Sequence, residues 1–96
     1  MIASFSDATT KDLFERKNSA RGRKFPPDVR GRALDKLDLL NAAISLDDLG
    51  QIPGNKLEAL KGDLVGFHSI RINDQWRVVF KWKGTDAIEV RIADYH

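Results

Sequence analysis

The chain has 96 residues, of which 42% are hydrophobic and 31% charged, with a formal net charge of +2 and no cysteine. Such a chain is expected to form one domain around a single modest core, its composition excludes a disordered polymer, and the missing cysteines exclude disulfides, thiolate metal sites and cysteine nucleophiles. No apolar run approaches the roughly 18 residues of a membrane span. The opening MIASFSDATTKDL has no basic region followed by a hydrophobic one, so no signal peptide is read and a cytoplasmic location is expected.

In chain order, Ile2 to Phe5 reads as a short strand, and Ser6 or Asp7 as the N-cap of a helix running to about Asn18, with Leu13 and Phe14 as its apolar contact. From Arg16 to Lys24, in RKNSARGRK, five of nine positions are basic. Arg21, Arg23 and Lys24 belong either to a solvated loop or to a dock for RNA phosphates. Pro26 and Pro27 start a second helix in which Val29, Ala33, Leu37, Leu40 and Ile44 recur every three or four residues as one buried stripe. Ser45 and Asp48 have the spacing that caps a single short turn, closed by Gly50. QIPGNKLEALKGD then reads as a long connection.

From Gly66 the period changes to two. Ile70 and Ile72, then Trp76, Val78, Phe80 and Trp82, then Ile88, Val90 and Ile92 alternate with polar residues, predicting three strands joined by turns at Asn73-Asp74 and Lys83-Asp86. The expected fold is therefore α+β: a short N-terminal strand and two helices packed on one face of a small, mainly antiparallel sheet. On the opposite face the same register collects Arg71, Arg77, Lys81 and Arg91, opposed only by Glu89, and such a surface suits phosphate.

Phosphate-loop and dinucleotide fingerprints are absent, and Ser69 has no histidine and acid arranged around it. His68 shares the parity of Ile70 and is expected in the core or at its rim. Asp94, Tyr95 and His96 are different in kind, because three proton-exchanging groups follow directly on a strand. A free histidine titrates near ~6.5, and a terminal carboxylate attached to His96 is expected to favour its protonated form.

Four ordered blocks, LKGD (60–63), G-x-x-SI (66–70), WR-x-x-F (76–80) and the closing DYH, resemble the HigB-type toxins of the RelE/ParE superfamily, and IASFSDATTKDLFE is similar to their opening strand and helix. The resemblance implies a RelE-like fold and the toxin of a type II toxin-antitoxin pair. Such a toxin cleaves mRNA on the 70S ribosome without a metal or other cofactor, and is neutralised by a HigA-type helix-turn-helix antitoxin through which alone it contacts DNA. Carried onto this sequence, the resemblance assigns cleavage or RNA holding to Lys61, Arg77, Asp94, Tyr95 and His96. Some members have a histidine where this chain has Glu58, which makes Glu58 a candidate base. Cleavage requires the ribose 2′-hydroxyl to lose a proton and attack the adjacent phosphorus while the 5′-oxygen leaves and gains one. His96 and Tyr95 are the candidates for those transfers, and Arg77 with Lys61 for the phosphoryl charge. Asp94 either orients His96 or closes the strand. Two other readings stay open: a ParE-like inhibitor of DNA gyrase with no catalysis, and a weakened toxin that binds RNA or ribosomes and perturbs ribosome assembly.

Overall fold

In the computed structural model, residues 1–17, 20 and 22–94 are described; the expectations for Arg21, Tyr95 and His96 lie outside them. Helix α1 spans Ala8–Phe14. Its N-cap is Asp7, whose carboxylate accepts from the Thr10 amide at 2.7 Å. The helix stops four residues before the expected Asn18 because Arg16 adopts φ 55°, with its amide donating to the Leu13 carbonyl at 3.0 Å and the Lys17 amide to that of Asp12 at 2.9 Å. That hydrogen-bond pair closes helices whose next residue is left-handed, a place usually held by glycine. Here the Arg16 guanidinium supports the turn, reaching the Phe14 carbonyl at 2.9 Å and Asp38 at 3.0 Å.

Helix α2, Pro27–Ala42, starts on a proline and buries Val29, Ala33, Leu37 and Leu40 as the stripe predicts. Ile44 does not continue it. The chain turns extended at Ala43 (φ −68°, ψ 141°), so Ala43 is buried and Ile44 is 71% exposed. A five-residue helix α3, Leu46–Gly50, follows, capped by Ser45 as expected and burying Leu49.

The expected long connection contains a strand. Among the described residues the sheet has four antiparallel strands in chain order: β1 (Glu58–Ala59), β2 (Phe67–Arg71), β3 (Trp76–Lys83) and β4 (Asp86–Asp94). Asn73 shapes the β2–β3 turn by accepting from the Gln75 and Trp76 amides at 2.9 and 2.8 Å. Ile70, Val78, Phe80, Val90 and Ile92 line one face and meet the stripe of α2 in the core. Fully burying a side chain such as Phe80 stabilises the fold by about 1.5–3 kcal/mol.

Residues Ile2 and Phe5 lie parallel beside Ala87 and Val90 of β4, so the expected first strand is present as two isolated bridges. It shields the edge of β4, and buried Thr10 continues the cover by accepting from the Ile92 amide at 3.0 Å. A register shift lies between Val79 and Lys81, where Lys81 pairs with Ile88 but Val79 with Arg91. One extra residue on β4 reverses the side-chain parity there. As a result Ala87 enters the core, while Ile88, expected beside Val90, pairs with Lys81 on the opposite side.

Candidate active site on the open sheet face

The site is built on the face that the helices leave uncovered. Arg77 stands on β3 opposite Arg71 of β2 and Ala93 of β4, and its side chain is only 11% exposed. Its Nε donates to Ser69 Oγ at 2.8 Å and one Nη to the Lys56 carbonyl at 2.6 Å. The other Nη lies 3.9 Å from the Glu58 carboxylate. Ser69 is fully buried, and Lys56 holds φ 44°, so the guanidinium is gripped by a rigid strand and a left-handed turn. A planar fork held this way has few geometries open to it, which is how a cation is preorganised for a phosphoryl group.

Glu58 arrives through β1, since it pairs with Ser69 in the ladder and shares its face. Lys81 pairs with Glu89 at 3.2 Å and lies 4.8 Å above the Phe67 ring. Val79 is fully buried although it lies outside the core cluster; its register neighbours Ser69 and Arg91 flank it. Arg91 therefore shares this face with Arg77 and Lys81 as expected, and has no carboxylate partner among the described residues.

Arg71 departs from that expectation. By strand parity it belongs with Arg77, yet its guanidinium pairs with Asp74 in the following turn and lines a separate cavity against α2. Lys61 is exposed and precedes a one-turn 3-10 helix at Gly62–Leu64, just after Leu60 donates its amide to Phe67. That is the opposite end of β2 from Arg71, and no hydrogen bond or ion pair joins Lys61 to Arg77 among the described residues. Asp94 pairs in register with Trp76, beside Arg77, and accepts from Gln75 Nε2 at 3.1 Å. The structure thus brings Glu58, Ser69 and Arg77 into contact and sets Asp94 at the end of the next strand, which leads toward Tyr95 and His96. Arg23 and Lys24 are exposed on a 3-10 turn, Gly22–Lys24. Phe25, which follows them, packs edge-on against Trp76 with centroids 5.4 Å apart, tethering the basic loop to the Asp94 end of the sheet.

His68 faces the core side, stacked on Phe80 at 6.1 Å, with a buried Nδ1 that has no hydrogen-bond partner among the described residues. Ser69 and Lys56 carry the geometry of Arg77 but were not among the sequence-derived candidates. Ser69 acts as a hydrogen-bond acceptor rather than as a nucleophile, and Lys56 acts through its backbone oxygen, which no side-chain motif reports. Among the described residues no three His, Asp or Glu side chains cluster closely enough to hold a metal ion, and no helix is long and apolar enough to cross a membrane.

These features define a small α+β protein whose helices cover one sheet face and whose other face presents an arginine clamp among cations. The HigB-like toxin family, described as the RelE-like toxin of type II toxin-antitoxin system HigB, matches residues 3–96, and the chain belongs to that family. It is 37% identical over 82 residues to Toxin HigB-1 of Vibrio cholerae serotype O1, covering 85% of this chain and 84% of that protein. It is 36% identical over 97 residues to Endoribonuclease HigB of Proteus vulgaris, covering the whole of both. Among solved structures, the YoeB-YefM complex from Staphylococcus aureus aligns with a TM-score of 0.62 at 17% identity, over 100% of this chain and 98% of that one. The YoeB/ParE toxin from Agrobacterium tumefaciens aligns with a TM-score of 0.56 at 20% identity, over 97% and 99%. Those two likenesses establish the RelE-like fold.

Proposed function

We propose that this toxin is a ribosome-dependent mRNA endoribonuclease whose chemistry is assembled on the open sheet face. The observation that carries the reading is the fixed Arg77 guanidinium, held by Ser69, the Lys56 carbonyl and Glu58 beside the end of β4. The activity in the name of the Proteus vulgaris relative supports it, and the YefM partner of the Staphylococcus aureus structure supports an antitoxin as the neutralising protein, here of HigA type.

In this reading His96 removes the proton from the ribose 2′-hydroxyl, the O2′–P bond forms, and the P–O5′ bond breaks as Tyr95 supplies a proton to the leaving 5′-oxygen. The products are a 2′,3′-cyclic phosphate and a 5′-hydroxyl. Arg77 stabilises the charge that accumulates on the non-bridging oxygens, and Lys61, exposed by the other end of β2, adds a second cation to the RNA-holding face. Asp94 anchors the strand from which Tyr95 and His96 extend. Arg91, Lys81, Arg21, Arg23 and Lys24 hold the RNA backbone on either side.

The reading is tested by digesting ribosome-loaded mRNA while assaying DNA gyrase supercoiling alongside. Cleavage with untouched gyrase is expected, and His96→Gln should slow single-turnover cleavage by about 10²-fold or more. Gyrase inhibition without cleavage would overturn the nuclease in favour of the ParE-like reading.

A second assignment of the base is favoured by one observation: the Glu58 carboxylate sits 3.9 Å from Arg77 on the reacting face. Its negative charge also competes with phosphate for that arginine. Glu58→Gln is therefore expected to tighten RNA binding by up to about fivefold, since exposed ion pairs are worth up to ~1 kcal/mol. A loss of cleavage of about 10²-fold would move the base to Glu58.

A further inference from the structure

At the sheet edge beyond the end of β2, a cavity of about 380 Å³ is lined by Arg32, Asp35 and Lys36 of α2, by Gly54, and by Arg71 and Asn73. Arg32 and Lys36 are four residues apart on the helix and so share one face of it. The Lys36 ammonium donates to Asn55 Oδ1 at 2.5 Å. Asn55 is fully buried and is itself fixed on both sides: its amide nitrogen donates to the Leu49 carbonyl at 3.1 Å, and its own carbonyl accepts from the Arg71 amide at 2.6 Å. The same residue therefore positions one cation directly and a second through its backbone.

Burial lowers the pKa of Lys36; Asp35 opposes that shift, while Arg32 and Arg71 add to it by repulsion. Arg32 and Arg71 thus both act on Lys36, and all three cations line the one cavity. Facing them are Asp35 and Asp74, and Asp74, the partner of Arg71, has a side chain 97% exposed. An exposed carboxylate is a weak holder of a guanidinium, whereas a phosphate accepts two parallel hydrogen bonds from the arginine fork.

We propose that this cavity binds a phosphate group, supplied by the RNA backbone as the strand runs off the Arg77 face. Arg71 and Arg77 are directly opposite in the β2–β3 ladder, one reaching over the open face and the other around the edge, so the path from one to the other is a single strand spacing. On binding, the phosphate displaces Asp74 from Arg71 and receives Lys36 and Arg32 from the helix. The choice of RNA as the source rests on the nuclease reading above.

The test uses the full chain, ¹⁵N-labelled, with two probes: inorganic phosphate, and a short single-stranded oligoribonucleotide made uncleavable by 2′-O-methylation. The expected result is movement of the Gly54 and Asn73 amide signals with the oligonucleotide. In the double variant Arg32→Gln/Lys36→Gln, the slope of log affinity against log salt should fall by about 0.7, the value for one phosphate of a single strand. Arg32→Gln alone, which leaves the Lys36–Asn55 hydrogen bond in place, keeps the test sound if the double variant folds poorly, because it should weaken the same signal movements. Movement with inorganic phosphate but none with the oligonucleotide would overturn the RNA source and assign the cavity to free phosphate. No movement with either probe, or an unchanged salt slope, would overturn the site. Binding to the uncleavable strand is read without cleavage, so a protein that binds here yet leaves ribosome-loaded mRNA intact would sink the nuclease and leave the cavity standing.

Discussion

The two faces of the β-sheet are made from the same alternating residues and do opposite work. On the core face Ile70, Val78, Phe80 and Val90 meet α2 through contacts that have no direction, so volume and area decide what is tolerated. On the open face Ser69, Arg77, Lys81, Glu58 and Glu89 are joined by hydrogen bonds and ion pairs in which direction is everything. One strand can therefore lose stability from an even-numbered position and chemistry from an odd-numbered neighbour.

That division can be broken by substitution. Phe80→Ala should cost about 3–5 kcal/mol of unfolding free energy, measured by urea denaturation, while cleavage per folded molecule stays level; a parallel fall in cleavage would mean that the faces are coupled. Next in size, Arg77→Lys keeps a charge but loses the fork that spans Ser69 and the Lys56 carbonyl. Single-turnover cleavage should drop by about 10²- to 10³-fold, as expected for losing a preorganised donor to developing charge, with urea midpoints close to those of the unaltered protein. Smallest is Ser69→Ala, which removes the acceptor for Arg77 Nε. We expect about a tenfold loss in kcat, equivalent to about 1.4 kcal/mol, with KM little changed and Ser69→Thr recovering activity. A shift in KM alone would place Ser69 in binding rather than in aiming the arginine.

The stripe of α2 was legible because Val29, Ala33, Leu37 and Leu40 repeat at helical spacing, and Ile44 was misread because spacing alone does not reveal where the backbone leaves the helix, at Ala43. Strand β1 was hidden by its two-residue length inside a proline- and glycine-bearing connection, where no alternation can be counted. Ile88 was placed on the wrong face because the irregularity beside Glu89, a residue with φ 52°, reverses parity without any glycine to announce it. The open face was legible for Arg77, Lys81 and Arg91, whose parity survives. It was not for Arg71, whose long side chain turns to Asp74. Asn55 and Ser69 carry no signal in one dimension, since a buried polar residue is defined by partners far away in sequence.

The irregularity beside Glu89 has a temporal consequence. The Glu89 amide donates to Ser4 Oγ at 2.9 Å and its carbonyl accepts from Ser6 Oγ at 3.1 Å, contacts that span 85 and 83 positions of the sequence. Contacts so distant are among the last that a chain can close. On the ribosome, residues 4–6 must wait until nearly all the rest has emerged before they find their places. A nascent chain short of β4 has neither the sheet edge they bind nor Arg91 and Asp94, so the open face is completed only when translation is nearly over.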